Sequence, residues 1–454
     1  MNENGVYDAR QLGYPKMLLL GLQHMVAMFG STVLVPILVN GYFHGEGLSV
    51  QVTLFFAGVG TLLFHKCAKW KVPAFLGSSF AFLGGFAAVA ELDVGGYAQM
   101  TYGEKLPYAC GGGVVAGAMY FILRWLIKLL GTKRVLHFLP PVVTAPIVVC
   151  IGLGLAPSAF ANASKNWILA AVPLILIIVF NTYGKGIWRT ASVLWGVLIA
   201  YIVALIAHFL GFTNPDGTVI IETASIAQAG LFGIPEFQLA KFEMVAIVAM
   251  APAAIPAMME HIGDMSAISE TAKRDFIKDP GLAETLKGDG LATMLSCLFG
   301  GPPNTTYGEN TSVMAFSRVY DPIVMRIAAV IVIIISFNPK LANAIGAVPS
   351  PIVGGMSIIL YGMIAAVGFR NIKENAVDFT KSRNLIIVAV ITVFGMGMTG
   401  GMRIPGTPIT LTALAVASLL GIILNIVLPD DNYEFDNDIK SDVSALTMNP
   451  RGDD

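Results

Sequence analysis

Three acidic side chains carry the chemistry open to this sequence. Glu260 lies in MAPAAIPAMMEHIGDM and Glu309 in GGPPNTTYGENTSVMAF, stretches otherwise made of apolar and small residues. An ionised carboxylate at bilayer depth costs about 2.5 to 3.5 kcal/mol even on the mildest scale, so such residues persist where they hold a substrate, an ion or a proton. Asp264 follows Glu260 by four positions, one turn along the same helical face. Acids crowded in a desolvated pocket resist simultaneous ionisation, so Glu260, Asp264 and Glu309 form the expected proton-coupling set. The competing structural reading pairs Glu260 with His24 or His261 and lets Asp264 merely reach cytoplasmic water. No nucleophile elbow, HExxH or P-loop is present to suggest an enzyme.

The elements that must position these acids follow from composition. Hydrophobic residues make up 55% of the 454-residue chain, charged residues 13%, and there are 48 glycines; the mean hydropathy is +0.72. These values describe an all-α polytopic membrane protein whose surroundings are the lipid bilayer. Apolar runs near the roughly 20 residues needed to cross it recur from Lys16 to Leu428. The first, Met17 to Val39, is too long and too poorly ended for a cleavable signal. Spans are expected near 17–40, 50–64, 73–90, 107–125, 140–157, 166–181 and 190–212. Seven more follow near 243–262, 289–300, 304–319, 322–338, 349–368, 384–400 and 409–428. With the N-terminus cytoplasmic, only Lys105, Lys165, Lys241, Lys340 and Arg403 of the 28 Lys and Arg fall outside, leaving 23 inside, as the positive-inside rule requires. That arrangement makes both termini and the 265–288 loop cytoplasmic.

Seven spans per half oblige the second half to enter the membrane in the opposite sense, giving two inverted repeats. Faint echoes agree: Pro73–Phe80 (PAFLGSSF) against Pro303–Asn310 (PNTTYGEN), and LPPVVTAPIVVCIG against VPSPIVGGMSIILYG. The Gly- and Pro-rich third and tenth spans read as non-helical backbone, tolerated at bilayer depth only where it is buried or lines a cavity. A matched pair of interrupted spans points to a midplane binding site. Cys67, Cys110, Cys150 and Cys297 lack metal-ligand spacing, and no metal, cofactor or nucleic acid is expected. Residues 429–454 carry eight acids against Lys440 and Arg451 and read as a disordered cytoplasmic tail.

The strings TTYGENTSVMAFSRVY, MEHIGDM, PAFLGSSFAF, QHMVAMFGSTVLVP and PIVGGMSIILYG resemble the nucleobase:cation symporter family 2, the nucleobase-ascorbate transporters, over Tyr14 to Pro429. The family signature falls on Glu309, Asn310, Thr311 and Ser312, and ends on Ser317 and Arg318. Ser312 and Ser317 are small-for-small departures from Gly and Thr. Asp264 stands where uracil-carrying members have His. The resemblance implies fourteen spans, with short strands interrupting spans 3 and 10. It also implies an N-terminal segment 1–16, a core domain (17–125 and 243–338) and a gate domain (140–212 and 349–428). Glu260 and Glu309 would hold the base, Phe80 would lie beside it, and backbone groups of Tyr307, Gly308 and Phe80 would complete the pocket. Ser31, His24, Asn310, Ser357 and Tyr361 would line the approach or a surrounding shell, and a homodimer through the gate domain is a family expectation.

The implied function is secondary active import of uracil by proton symport, with alternating access between core and gate, in the bacterial inner membrane. Uracil presents two N–H donors and two carbonyls. An ionised carboxylate only accepts, so Glu260 and Glu309 each suit an N–H, through charge-assisted bonds about twice as strong as neutral ones. Backbone N–H groups of a broken helix would serve the carbonyls. Xanthine and urate permeases of the same family carry Gln at the position of Glu309, which leaves a purine permease as the alternative. Sulfate permeases and anion exchangers share the inverted fold, but two acids would repel an anion. A passive channel would instead need a continuous lined pore.

Overall fold

Apolar runs of bilayer length fold as helices, and the exceptions fall where the acids are. The structure is a computed structural model that describes residues 5–93, 95–137, 139–398, 401–403 and 410–429. In chain order the helices are α1 (Tyr14–Tyr42), α2 (Val50–Cys67), α3 (Leu83–Ala90), α4 (Tyr102–Leu130), α5 (Pro141–Ala163), α6 (Trp167–Tyr183) and α7 (Ser192–Phe209). There follow α8 (Met244–Met250), α9 (Ala254–Ala272), α10 (Leu282–Leu298), α11 (Gly308–Ser317), α12 (Pro322–Ser336), α13 (Pro339–Gly346), α14 (Ser350–Glu374), α15 (Ser382–Gly397) and α16 (Ala413–Val427), with shorter turns left unlabelled. Among the described residues, seven helical stretches are long and apolar enough to cross a bilayer, counting α8 and α9 as one. An eighth is reached if α12 and α13, bent by 88° at their junction, form one span. All but Pro429 of the expected acidic tail lies outside the described residues.

Local chemistry sets the helix ends. A capping box joins Thr101 and Glu104 at the start of α4, and the Asn166 side chain accepts from Leu169 N–H at the start of α6. These bonds satisfy donors that a helix cannot pair internally. Lys105 is buried, and its ammonium donates to the Ala90 and Leu92 carbonyls at 2.9 and 2.7 Å, capping α3.

One expectation is overturned between the eighth and ninth spans. The supposed cytoplasmic loop at 265–288 is mostly helix, since α9 runs to Ala272 and α10 starts at Leu282. Polarity misled here: Thr285 and Ser269 are both buried, and each has a partner inside the fold, so neither had to lie in water.

Helix packing divides the chain. On one side α2 packs against α10 and α12, and α4 against α8 and α10; on the other, α14 packs against α5 and α6, and α15 against α5 and α16. Close approach of α2 and α10 needs glycine: a Cβ on Gly288 would stand 2.9 Å from the Phe64 ring, and one on Gly60 3.1 Å from Ala292 Cβ. The chain ahead of α1 crosses the foot of the first group. Val6 N–H donates to Arg318 O and Tyr320 N–H to Val6 O, both at 2.8 Å. Tyr7 donates its hydroxyl to Ala272 O at 2.9 Å and lies beneath the Arg274 guanidinium, while Ala9 N–H reaches Asp321 Oδ2 at 2.8 Å.

Candidate functional site

The third and tenth expected spans each hold a three-residue strand followed by a half-length helix. β1 (Leu76–Ser78) and β2 (Asn304–Thr306) pair antiparallel, with Leu76 opposite Thr306, Gly77 opposite Thr305 and Ser78 opposite Asn304. Beyond them, Ser79 N–H donates to Pro303 O at 2.9 Å and Tyr307 N–H to Phe75 O at 3.0 Å. The bonds therefore repeat about a local twofold through Gly77 and Thr305, which relates Leu76 to Asn304. This corrects the echo read from sequence, where matching the prolines set Leu76 against Thr306; hydrogen bonds fix the correspondence two residues away. Gly77 is required at the centre, because a Cβ there would meet the Tyr307 ring at 2.5 Å and Thr32 Oγ1 at 2.6 Å.

Both strands deliver an uncapped helix start to the same place. A short helical turn, Phe80–Phe82, leads into α3, and neither it nor α11 has a side chain on its N-terminal N–H groups. Such N–H groups and the positive end of the helix dipole together favour acceptor atoms and negative charge. At eight and ten residues, α3 and α11 rise about 12 and 15 Å, roughly half the thickness of a bilayer.

The three acids converge there. Glu309, in the first turn of α11, is half-buried and accepts from Ser31 Oγ of α1 at 2.6 Å. Asp264 accepts from Thr306 Oγ1 of β2 at 2.7 Å, and its other oxygen is the nearest neighbour of the open side of Gly308. Glu260 shares an electrostatic neighbourhood with Asp264, Glu309 and Asp289. Its side chain is exposed, as are Gly263 and Gly308, and among the described residues its carboxylate has no hydrogen-bond partner. The arrangement is one oriented carboxylate, one open carboxylate and a third beside them, all next to free backbone donors.

Other expected residues sort by where their polar atoms point. Phe80 is part-buried and lines a cleft of about 180 Å³ with Gly84, Gly154, Ala253 and Ala413. Tyr307 is turned away: its hydroxyl donates to Ser78 O at 2.9 Å, and its N–H is taken by Phe75. A ligand therefore finds no free donor on Tyr307. Asn310 donates to His24 O and Nδ1 at 3.0 and 3.3 Å, so the two residues are spent on the buried contact between α11 and α1. Ser357 and Tyr361 are buried together on the α5–α14 side, with Ser158 beside the Tyr361 hydroxyl. Neither proposed ion pair of Glu260 forms. His261 instead meets Asp289 (Nδ1 to Oδ2, 2.9 Å) and Thr285 (Nε2 to Oγ1, 3.0 Å), all fully buried. Sequence reasoning missed Asp289, whose only signal was an acid between two glycines, and Thr306, which reads as an ordinary strand residue.

Comparison with known proteins adds an independent line. A permease family model matches residues 15–404. The chain is 36% identical over 425 residues to a uracil permease of Bacillus caldolyticus, covering 90% of this chain and 91% of that protein. A uracil permease of Escherichia coli K12 is also 36% identical, over 408 residues and 90% of each chain. Among solved structures, the transmembrane domain of the cyanobacterial bicarbonate transporter BicA aligns with a TM-score of 0.62 at 14% identity, over 93% of this chain and 99% of that one. At that identity the likeness speaks for the fold alone.

Proposed function

The chain belongs to the permease family whose model it matches, the nucleobase:cation symporter family 2 of its motifs, and on that premise we propose that it imports uracil together with protons across a bacterial inner membrane. The observation that carries this reading is the meeting of Glu260, Asp264 and Glu309 at two uncapped helix starts. Glu260 and Glu309 take the two ring N–H groups, and free N–H groups at Phe80, Gly308 and Glu309 serve the carbonyls. Ser31 holds Glu309 ready, so little orientation is lost on binding. The purine alternative is not favoured, since relatives matching nine-tenths of the chain are named uracil permeases and Glu309 supplies only acceptors.

Protonation among the three acids permits binding, and loss of that proton toward the cytoplasm releases the base. One proton crossing with a neutral ring moves one charge, worth about 2.3 kcal/mol per 100 mV, or about fiftyfold accumulation. Fourteen spans in two inverted halves are supported by the local twofold of the strand pair. A core of α1–α4 with α8–α12 moving against a gate of α5–α7 with α14–α16 is supported by the packing groups. Cytoplasmic termini follow from the placement of Lys and Arg.

Radiolabelled uracil uptake into proteoliposomes tests the reading. Uptake should be saturable, driven by an inward proton gradient, abolished when pH gradient and voltage are both collapsed, and blind to excess xanthine. Xanthine competition would move the protein to the purine branch, and indifference to both gradients would remove proton coupling.

A further inference from the structure

The two strands are held from behind by one threonine each. Leu76 N–H donates to Thr61 Oγ1 of α2 at 2.9 Å, and Asn304 N–H donates to Thr293 Oγ1 of α10 at 3.2 Å. Leu76 and Asn304 are the positions related by the local twofold. Two residues earlier the correspondence continues: His65 Nε2 meets Ala74 O at 2.8 Å, and Ser296 Oγ donates to Pro302 O at 2.6 Å. Both threonines and both strands are buried, so no water replaces these bonds, and a buried backbone N–H left alone is costly.

The two threonines differ in how each spends its hydroxyl proton. Thr293 donates back to Asn304 O at 2.9 Å, binding both polar groups of one residue. Thr61 divides its single proton between Ala57 O at 2.8 Å and Leu76 O at 3.3 Å. Thr293 is the firmer anchor.

We propose that Thr61 and Thr293 are matched positioning residues whose hydroxyls fix the strands along α2 and α10, and so set where Phe80 and the Gly308–Glu309 backbone meet the substrate. Each anchor lies four residues from the helix start it positions, about 13 Å of strand. A slip of either strand moves its N–H donors away from the opposing acids. The proposal rests on the nucleobase reading of that site.

Valine matches threonine in shape but offers no hydroxyl; serine keeps the hydroxyl. In purified full-length protein, Thr293→Val should raise the uracil Kd and KM about tenfold or more while Vmax at saturation changes by less than about twofold. Thr61→Val should do the same to a smaller extent, and Thr61→Ser and Thr293→Ser should restore Kd to within about threefold. Folded Val variants with unchanged Kd, or Ser variants as weak as Val, overturn the proposal. If a Val variant does not fold, the Cys variant at that position, whose thiol is a weaker partner, should show an intermediate Kd; an unchanged Kd there overturns it equally. If the unsubstituted protein fails to bind uracil, the substrate reading falls separately. Amide exchange at Leu76–Phe80 and Asn304–Glu309 then decides: faster in the Val variants supports the anchors, unchanged rejects them.

Discussion

A carboxylate gripped by one serine hydroxyl, with the free start of a helix beside it, is aimed before any ligand arrives. Removing the grip in Ser31→Ala forfeits a hydrogen bond to a charged group, worth about 1.5 to 3 kcal/mol. Uracil Kd, measured by equilibrium binding, should therefore rise by roughly ten- to a hundredfold. Glu309→Gln should be worse, by up to about 10⁴, because an amide sets a donor against a ring N–H. Unaltered affinity would remove Glu309 from the site. The His261–Asp289 pair makes a different kind of prediction. Either single change, His261→Leu or Asp289→Leu, strands a buried polar partner and should cost about 3 to 5 kcal/mol, read as lowered thermal stability in detergent. The double change should cost less than either alone. Glu260, Asp264 and Glu309 were legible in the sequence because charge stands out in an apolar run. Asp289 was not, because Gly-Asp-Gly has the look of a loop and its partner is 28 positions away. The orientation of Tyr307 was equally hidden, since only the strand pairing decides which of its groups are already taken.

At the scale of elements, the decisive feature is that neither 76–90 nor 304–317 is a whole helix. Three residues are too few for a period-two pattern, so glycine and proline content gave only non-helical backbone there, β1 and β2 were expected from the family resemblance alone, and their true register appeared only in the hydrogen bonds. The long helices were easier: α1, α2, α4 and α14 lie within a few residues of the expected spans. The exception was α9 to α10, whose polar residues are paired inside rather than solvated. Glycine placement gives the element-level test. Gly77→Val drives a branched side chain into the Tyr307 ring and Thr32, and the strand pair must open to admit it. Uracil binding should be lost even where folded protein can still be purified. Wild-type binding in that variant would mean the strand pair does not form the site.

The whole molecule is two packing groups with the acids on one of them, and that asymmetry was visible in the sequence only through the family resemblance. The bonds at its foot show how far the site's frame extends. Residues 6–9 touch the end of α9, which carries Glu260 and Asp264, and the turn after α11, which carries Glu309. Deleting residues 1–12 should therefore lower thermal stability and uracil affinity together, and binding curves on the truncated protein check it. Both unchanged would make the segment a passive leader. The same feature bears on anyone who wishes to produce the protein. The ring of Tyr320 presses against Gly5, where a Cβ would find no room. A fluorescent reporter or purification handle fused close ahead of Gly5 would compete for that seat and report on a loosened molecule.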